Sequence, residues 1–383
     1  MKLLHLGDLH LGRWLGDFDL IDDQRYILDK LIALIEEQGI DAVLIAGDVY
    51  DRAVPSEAAT GLLDDFLSRL AAMRVAVFLI SGNHDSDDRL NFGSKLFPAN
   101  NIYISAKFDG TLFHKTMSDE FGEVTFWLLP FVKASQVRHF YPDANIGNYE
   151  DAVRTVIERA EINPAARNVI VAHQFVKDGD EVLRYGGSEG LSVTNVGTVE
   201  MIDAVTFADF DYVALGHIHS PQKVGREQVR YAGSPLKYSD REIDNRKSFP
   251  IITLGAKGDV RVELKEIAPK RDLRRVRGEL KSLLSPEQKT DDYVCVTLTD
   301  EDFINDAISL VRQYYPNAVK LDYDNTRTRE TLQADISRVA ENKTFDELVG
   351  DFYRMVFGQE ISGEEARILR EVAREEGIVH EAD

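Results

Sequence analysis

The sequence predicts an α/β fold in which helices cover a largely parallel sheet. Short apolar runs that end in polar loops recur through the first 265 residues, as expected of buried strands. The early runs alternate with segments whose apolar residues recur at helical spacing, at 21–35 and 59–70. In a fold of this class the ligand crevice lies beyond the carboxyl ends of the strands.

Each predicted strand corresponds to one of these apolar runs. The predicted strands lie at 3–6, 42–46, 75–80, 124–129, 169–172, 212–215, 229–232 and 250–254. After a basic run at 270–277 the pattern indicates a strand-helix-strand-helix-strand unit that ends near Tyr323. Two amphipathic helices close the chain, and capping boxes at 344–347 and 362–365 mark their starts. We therefore predict a main domain at 1–268, a small α/β domain at 269–323, a linker at 324–343 and a helix-loop-helix at 344–383.

Composition excludes several classes of protein. The 383 residues carry a formal net charge of -21, with 44% hydrophobic and 29% charged residues, so the chain is neither disordered nor collagen-like. Its apolar runs are too short for a membrane helix, and its amino end lacks the apolar core of a signal peptide, so we expect a cytoplasmic protein. The single cysteine, Cys295, fits a reducing compartment. Net acidity argues mildly against a nucleic-acid partner, although a local basic patch is compatible with it.

Side chains with metal-binding chemistry follow five of the predicted strands. They are Asp8 and His10 after the first strand, Asp48 after the second, Asn83, His84 and Asp85 after the third, His173 after the fifth, and His217 and His219 after the sixth. Because the ends of parallel strands converge on one crevice, we expect these side chains to meet. A single Asp-x-His or His-x-His pair is more often a surface or core pair, but the whole series indicates a metal site.

The donor set favours two divalent first-row ions. Imidazole, carboxylate and amide oxygen suit such ions, and the lack of thiolates argues against iron-sulfur and cysteine-rich zinc sites. Seven ligands are too many for one catalytic ion with open positions, but they suit two ions about 3.5–4 Å apart that share a carboxylate. Mn²⁺ is the ion we expect, with Mg²⁺ as the alternative. Glycines before Asp8, Asp48, Asn83 and His217 allow the backbone to approach the ions closely.

These motifs also carry a resemblance to a known family. Asp8-x-His10, Gly47-Asp48, Gly82-Asn83-His84-Asp85, His173 and Gly216-His217-x-His219 resemble the motif series of the calcineurin-like metallophosphoesterases. The segments 82–90 and 233–239 resemble, more narrowly, the nuclease subunits of bacterial SbcCD complexes. The resemblance covers nearly the whole chain. It implies a β-sandwich flanked by helices, with a small α/β capping domain and a C-terminal helix pair.

The resemblance further implies a role for each residue. Asp8, His10, Asp48 and His219 hold one Mn²⁺, while Asp48, Asn83, His173 and His217 hold the other, so that Asp48 is the bridge. His84 is not a ligand, and it protonates the leaving oxygen beside the scissile phosphate, with Asp85 orienting it. Archaeal and eukaryotic relatives have a second active-site histidine where this chain has Asp51. Two interpretations fit Asp51. It is either a carboxylate at a helix start or in solvent, or a catalytic residue.

The function implied is that of a Mn²⁺-dependent DNA phosphodiesterase, an exonuclease on duplex ends and an endonuclease on hairpins or single strands. It would work with an SbcC-like ATPase, docked through the terminal helices around Phe352 and Leu369, and as a homodimer through the helix from Ser56 to Leu70. The alternatives are a phosphoesterase for small phosphoesters, cyclic nucleotides or phosphoproteins, and a scaffold that keeps the fold without the chemistry. No membrane partner is expected.

Two features remain open at the level of sequence. The terminal helices could pack on the body of their own chain, but their aromatic surface beyond a linker favours a partner. The basic run at 270–277 is either a solvated segment or part of a face that follows phosphates. Lys237, Arg241, Arg246 and Lys247, which follow a Gly-Ser-Pro turn, are further candidates for contact with a nucleic-acid backbone.

Overall fold

The computed structural model describes residues 1–179, 183–185, 201–285, 289–326, 349–350, 353–354 and 361–375. Nothing in this part of the chain forms a helix long and apolar enough to cross a membrane. The strands are β1 Lys2–Leu6, β2 Trp14–Leu15, β3 Phe18–Asp19, β4 Ala42–Ala46, β5 Ala76–Ile80, β6 Ile102–Ser105, β7 Phe113–Asp119, β8 Gly122–Leu129, β9 Arg167–His173, β10 Val176–Lys177, β11 Ile202–Asp203, β12 Tyr212–Gly216, β13 Gln222–Val224, β14 Arg226–Tyr231, β15 Phe249–Leu254, β16 Val260–Lys265, β17 Leu273–Gly278, β18 Tyr293–Leu298 and β19 Ala318–Tyr323. The α-helices are α1 Ile21–Gln38, α2 Glu57–Ala72, α3 Asp87–Leu90, α4 Ala134–Phe140, α5 Tyr149–Arg159, α6 Leu280–Leu283, α7 Ala307–Arg312 and α8 Gly363–Glu375, and short 3₁₀ turns lie at Phe97–Asn100, Ala204–Phe207 and Asp240–Glu242.

Two six-stranded sheets form the main body. The first has the order β16-β15-β1-β4-β5-β6 and the second the order β13-β14-β12-β9-β8-β7. In the first sheet β1, β4, β5 and β6 are parallel, and in the second β14, β12, β9 and β8 are parallel. Antiparallel strands flank each parallel centre. The parallel centres place the carboxyl ends of β1, β4 and β5 at one edge, and those of β9 and β12 at one edge of the other sheet.

The sheets pack face to face around an apolar layer. Phe78 of β5 stacks on Phe126 of β8 with ring centroids 4.2 Å apart, and both side chains are fully buried. Helices α1 and α2 cover the outer face of the first sheet, and α4 and α5 cover that of the second. The central strands are therefore buried on both faces, which explains why they read as continuous apolar runs rather than as alternating patterns.

The prediction of a largely parallel sheet covered by helices, which rests on the apolar runs, is thus wrong in one respect. The parallel order is confirmed for the central strands, but the strands divide between two mixed sheets. An apolar run shows that both faces of a strand are covered, whether by helices or by a second sheet, so the pattern alone does not distinguish the two cases. The sandwich flanked by helices that the family resemblance implied is what the structure contains.

The segment after Lys270 forms the strand-helix-strand-helix-strand unit that the sequence predicts. Strands β17, β18 and β19 are parallel and adjacent, and α6 and α7 pack with them around a core of their own. The other face of this small sheet packs on the main body, where the Tyr293 hydroxyl donates to Asp23 Oδ2 at 2.9 Å. The division into domains at 268 and 323 remains a prediction.

Only part of the C-terminal region belongs to the described residues. The predicted helix start at Ser362 and Glu365 is confirmed, because Glu365 N donates to Ser362 Oγ at 3.3 Å and Ser362 N donates to Glu365 Oε2 at 3.0 Å. The capping box at 344–347 lies outside the described residues, as does most of the predicted linker at 324–343.

Candidate metal centre

Five strand ends bring the predicted ligands to one edge of the sandwich. From the first sheet, Asp8 and His10 follow β1, Asp48 follows β4 and Asn83 follows β5; from the second, His173 ends β9, and His217 and His219 follow β12. Strands β1, β4 and β5 are neighbours in one sheet and β9 and β12 in the other. All seven residues are therefore gathered, as the sequence predicts.

The backbone of this edge is held in an uncommon conformation. Asp8, His10, Asp48 and His217 have φ angles of 51°, 43°, 47° and 95°, the left-handed region that non-glycine residues rarely adopt. The loops after β1 and β4 are also tied together, because Asp8 N donates to Gly47 O at 3.1 Å and His10 N donates to Asp48 O at 2.9 Å. Such strain persists only where surrounding structure enforces it, and it concentrates at functional sites.

Glycine is required where the loops approach each other. A Cβ at Gly82 would lie 2.1 Å from Asp48 Oδ1, and one at Gly216 would lie 1.8 Å from Ala46 O. Both distances are far below van der Waals contact, so a larger residue would separate the strands that carry the ligands. The close approach seen here is between protein loops, and the predicted approach of these glycines to the ions stays a prediction.

Asp8, His10 and His219 form one compact group. Each offers a ligand atom, the three atoms lie within 4.8 Å of one another, and all three residues are buried. His10 Nε2 and His219 Nε2 are 3.1 Å apart. Asp8 Oδ1 accepts from His217 N at 2.8 Å, whereas Asp8 Oδ2 is buried with no hydrogen-bond partner among the described residues.

A second group surrounds Asp48 and His173. The Nδ1–H of His173 donates to Ala46 O at 2.7 Å, which directs Nε2 to Asn83 Oδ1 at 3.1 Å and to Asp48 Oδ2 at 3.3 Å. Asn83 Oδ1 also lies 3.0 Å from His217 Nδ1. These contacts link the four residues proposed for one ion in a series, from Asp48 through His173 and Asn83 to His217.

Both carboxylates lie between the two groups. Asp48 Oδ2 is 3.6 Å from His10 Nε2 and 3.3 Å from His173 Nε2. The compact triads nevertheless share Asp8, since the second consists of Asp8, Asp48 and His173. A single oxygen of Asp48 reaches a histidine of each group, and each carboxylate has its Oδ1 engaged by a backbone N–H, that of His217 for Asp8 and that of His84 for Asp48. Both carboxylates are therefore placed to be the shared ligand.

The residues present fit a pair of cations. Burial raises the pKa of Asp8 to about 6 and holds the pKa of His10 well below its usual range. Burial alone would also raise the pKa of Asp48, but His173 and His10 hold it well below its usual range, and Asp48 in turn raises the pKa of His173 to about 9. The site contains two buried carboxylates, and one of them, Asp8, has an oxygen with no hydrogen-bond partner among the described residues. Positive charge at this edge would compensate both carboxylates.

His84 lies beside the ligands without belonging to either group. Its ring is half-buried, with its centroid 4.8 Å from that of His10, and its Nδ1 is 3.2 Å from Asp51 O. The side chain of Asp51 accepts from Arg13 at 2.7 Å and approaches His10 Nδ1 to 3.6 Å. Asp51 is 8% exposed, so the solvated-carboxylate interpretation does not hold.

Asp85 does not orient His84 in the way the resemblance implied. Its carboxylate accepts from three backbone N–H groups, those of Val49 at 3.0 Å, Tyr50 at 2.9 Å and Gly82 at 2.9 Å. Burial raises the pKa of this carboxyl to about 6. Asp85 therefore ties the loop after β4 to the loop after β5, and so supports Asp48 and Asn83 through the backbone.

Sequence reasoning missed one group of supporting residues. Glu242, which is fully buried, places Oε1 3.2 Å from His219 Nδ1, and Lys247 and Ser234 contact the other oxygen of that carboxylate. The signal that the sequence offered was the Gly-Ser-Pro turn, because glycine and proline at 233–235 indicate an unusual backbone conformation. Glu242 itself lies in a charged segment that reads as surface.

The basic residues proposed for nucleic-acid contact are largely paired. Lys247 is in the buried network with Glu242, and Lys237 pairs with Asp272 at 2.9 Å. Of the basic run, Arg271 pairs with Asp23, Arg274 with Asp292 and Arg277 with Asp324. Arg271 joins the small sheet to helix α1 of the body, whereas Arg274 and Arg277 pair within the segment that forms the small sheet, so these ion pairs favour a structural role for the run.

Two family models and known proteins match this chain. A family model described as calcineurin-like phosphoesterase matches residues 1–221, and one described as type 5 capsule protein repressor C-terminal domain matches residues 269–357. The SbcD component of the SbcCD nuclease from Staphylococcus epidermidis is 30% identical over 374 residues, which is 94% of this chain and 95% of that protein. A solved dimetal phosphatase from Danio rerio matches 70% of this chain and 97% of its own, with 11% identity and a TM-score of 0.39.

Proposed function

The chain belongs to the calcineurin-like phosphoesterase family and, within it, to the SbcD nucleases, and from this premise we propose that it is a Mn²⁺-dependent DNA nuclease. It would remove nucleotides from duplex ends and cut hairpins or single strands, in the cytoplasm, during DNA repair and recombination. The observation that carries this proposal is the convergence of Asp8, His10, Asp48, His173 and His219 around buried ligand atoms at one edge of the sandwich.

Two ions would be held by the sets that the family resemblance implies. Asp8, His10, Asp48 and His219 would bind one, and Asp48, Asn83, His173 and His217 the other, a division supported by the contacts within each group. When bound, two divalent ions supply the positive charge that stabilises phosphoryl transfer and acidifies the attacking water. The protein's part is to fix the ligand atoms, as Ala46 O does for His173 by accepting its Nδ1–H.

His84 would supply the proton for the leaving oxygen. The carbonyl of Asp51 can only accept a hydrogen bond, so the Nδ1 that faces it at 3.2 Å carries a proton. Nε2 is then the atom that gains and loses a proton during turnover. Such general acid catalysis typically contributes about 10²–10⁴-fold to a rate.

The test is cleavage of end-labelled duplex and hairpin DNA with Mn²⁺, with Mg²⁺ and with chelator, each with and without the ATPase partner. A nitrophenyl phosphoester assayed beside the DNA separates a nuclease from a phosphoesterase for small substrates. We expect Mn²⁺-dependent cleavage of both DNAs at rates above hydrolysis of the small ester. Hydrolysis of the small ester alone would contradict the proposed substrate.

The partner would be an SbcC-type ATPase bound through residues 344–383. The described helix α8 supports this, because Ile368 is 48% exposed and Leu369 is 41% exposed. Deletion of 344–383, or replacement of both residues by serine, is expected to abolish co-purification with the ATPase while Mn²⁺-dependent hydrolysis persists. A matched change of the exposed Glu364 to glutamine should leave co-purification intact. Retained binding after the deletion would exclude this docking site.

A homodimer would need surface other than the apolar face of α2. Ala59, Leu62 and Phe66 of that helix are buried in the body's own core. The exposed apolar side chains of Val54, just before the helix, and of Phe92 are better candidates for a dimer contact. Sedimentation of the wild type beside Phe92→Ser would test this.

A further inference from the structure

Three polar residues outside the ligand set enclose His219. We call Ser234, Glu242 and Lys247 the His219 cradle. Glu242 is 0% exposed, and its Oε1 lies 3.2 Å from Nδ1 of the imidazole. It ends the short 3₁₀ turn at Asp240–Glu242, well beyond His219 in the chain.

The cradle also holds the backbone of His219. Lys247 Nζ donates to Glu242 Oε2 at 2.6 Å, to Ser234 Oγ at 2.7 Å and to His219 O at 2.8 Å. Ser234 N donates to the same carbonyl at 3.1 Å. A Cβ at Gly233 would lie 2.7 Å from that oxygen, so glycine is what permits the turn to approach. The Gly-Ser-Pro turn therefore has a structural purpose, which is to support His219.

We propose that Glu242, held by Lys247, is a positioning residue that keeps His219 in the Nδ1–H tautomer and so presents Nε2 to a cation. A carboxylate can only accept, so the nitrogen that faces it carries the proton. The other ring nitrogen lies 3.1 Å from His10 Nε2, inside the group formed with Asp8. The inference rests on the proposed function in one respect, since it takes His219 as a metal ligand.

The effect should be confined to one ion. His173, in the other group, is supported by the carbonyl of Ala46 rather than by the cradle. Loss of a supporting partner typically costs about 10–100-fold in metal affinity. We therefore expect a change in Glu242 to weaken one of two Mn²⁺-binding steps by about 10–100-fold and to leave the other unchanged.

The experiment replaces Glu242 by glutamine. In Glu242 one carboxylate oxygen faces His219 and the other faces Lys247. In glutamine one of these two positions is an NH₂ group, which donates, so the side chain cannot accept at both positions. Calorimetric titration with Mn²⁺ measures the two binding steps, and ¹⁵N NMR of the histidine rings before Mn²⁺ addition reports the tautomer of His219. Asp211→Asn is the matched control, because Asp211 is a buried carboxylate that accepts from Asn168 N at 2.7 Å just before β12, at the opposite end of that strand.

The expected result is an Nδ1–H ring in the wild type, a mixed tautomer with one weakened step in Glu242→Gln, and neither change in the control. If Glu242→Gln does not fold, Glu242→Asp keeps a negative charge for Lys247 but withdraws the carboxylate from the ring by one methylene. Wild-type affinities and tautomer in both variants, or an Nε2–H ring in the wild type, would overturn the proposal. Failure of the wild type to bind two ions would instead count against the proposed function, since the tautomer is read without metal.

Discussion

Replacing Gly216 with alanine would place a methyl group where the two sheets meet at the metal centre. The new Cβ would lie 1.8 Å from Ala46 O, which is 1.6 Å short of the 3.4 Å at which ordinary contact begins, and 2.8 Å from His173 Nδ1. Ala46 O is a backbone atom at the end of β4, so it cannot rotate away as a side chain would. Strand β12 must therefore withdraw from β4, and the ligands carried by the second sheet must separate from those carried by the first.

The cost has two parts. Overpacking a core typically costs about 1–3 kcal/mol and sometimes more, and because a backbone oxygen is in the way we expect a loss of at least about 3 kcal/mol in the free energy of unfolding. The same displacement disrupts the 2.7 Å hydrogen bond from His173 Nδ1 to Ala46 O. Loss of that support should lower Mn²⁺ affinity by about 10–100-fold.

Urea unfolding and Mn²⁺ titration measure the two effects separately. Gly61→Ala is the control, because Gly61 is exposed in helix α2 and a Cβ there meets nothing within 4 Å. Alanine at that position should raise the free energy of unfolding by about 0.5–1 kcal/mol. Wild-type unfolding and wild-type Mn²⁺ affinity in Gly216→Ala would refute the idea that the sheets meet there without room for a methyl group.

Asp48→Ala should lose both ions and all DNA cleavage, and full nuclease activity in that variant would contradict a shared carboxylate. His84→Gln should bind both ions with wild-type affinity in a titration while its turnover falls by at least about 10²-fold; an active variant would remove the proton-donor role. Burial lowers the pKa of His5 to about 3 from 6.5, so below pH 6.5 the unfolded chain takes up a proton that the folded chain does not. The free energy of unfolding should therefore fall as the pH decreases from 6.5 towards 3, by up to about 1.4 kcal/mol per pH unit from this residue. Urea unfolding at several pH values between 6.5 and 3 measures how steeply the free energy of unfolding changes with pH. This pH dependence should be shallower in His5→Gln than in the wild type, but unchanged in the exposed control His114→Gln. The same pH dependence in all three proteins would argue against a buried neutral histidine.

The sequence was most informative where strands end. Asp8, Asp48 and His173 follow apolar runs directly, and parallel strands bring such ends together whatever lies between them in the chain. Whether those runs belong to one sheet or two could not be predicted, because burial on both faces has the same signature in either case. Here the second sheet, rather than a layer of helices, covers the inner face of β4.

The supporting residues were harder to find for a different reason. Glu242 acts through a fold-dependent contact with a histidine 23 positions earlier, in a segment whose charges resemble a solvated loop. Asp85 sits inside a recognised motif, but its partners are backbone N–H groups, which no side-chain pattern reveals. Left-handed φ angles at Asp8 and Asp48 are set by the loops around them, and residue type gives only a weak signal, because aspartate and histidine are the more tolerant non-glycine residues in this region.

The division of the centre between two sheets has a consequence for the protein's synthesis on the ribosome. Asp8, His10, Asp48 and Asn83 leave the exit tunnel early, whereas His217 and His219 emerge only after more than half of the chain has been made. A nascent or prematurely terminated polypeptide that stops before β12 holds five of the seven proposed ligands and lacks His217 and His219. The proposed set of seven ligands is therefore complete only after His219 has been made.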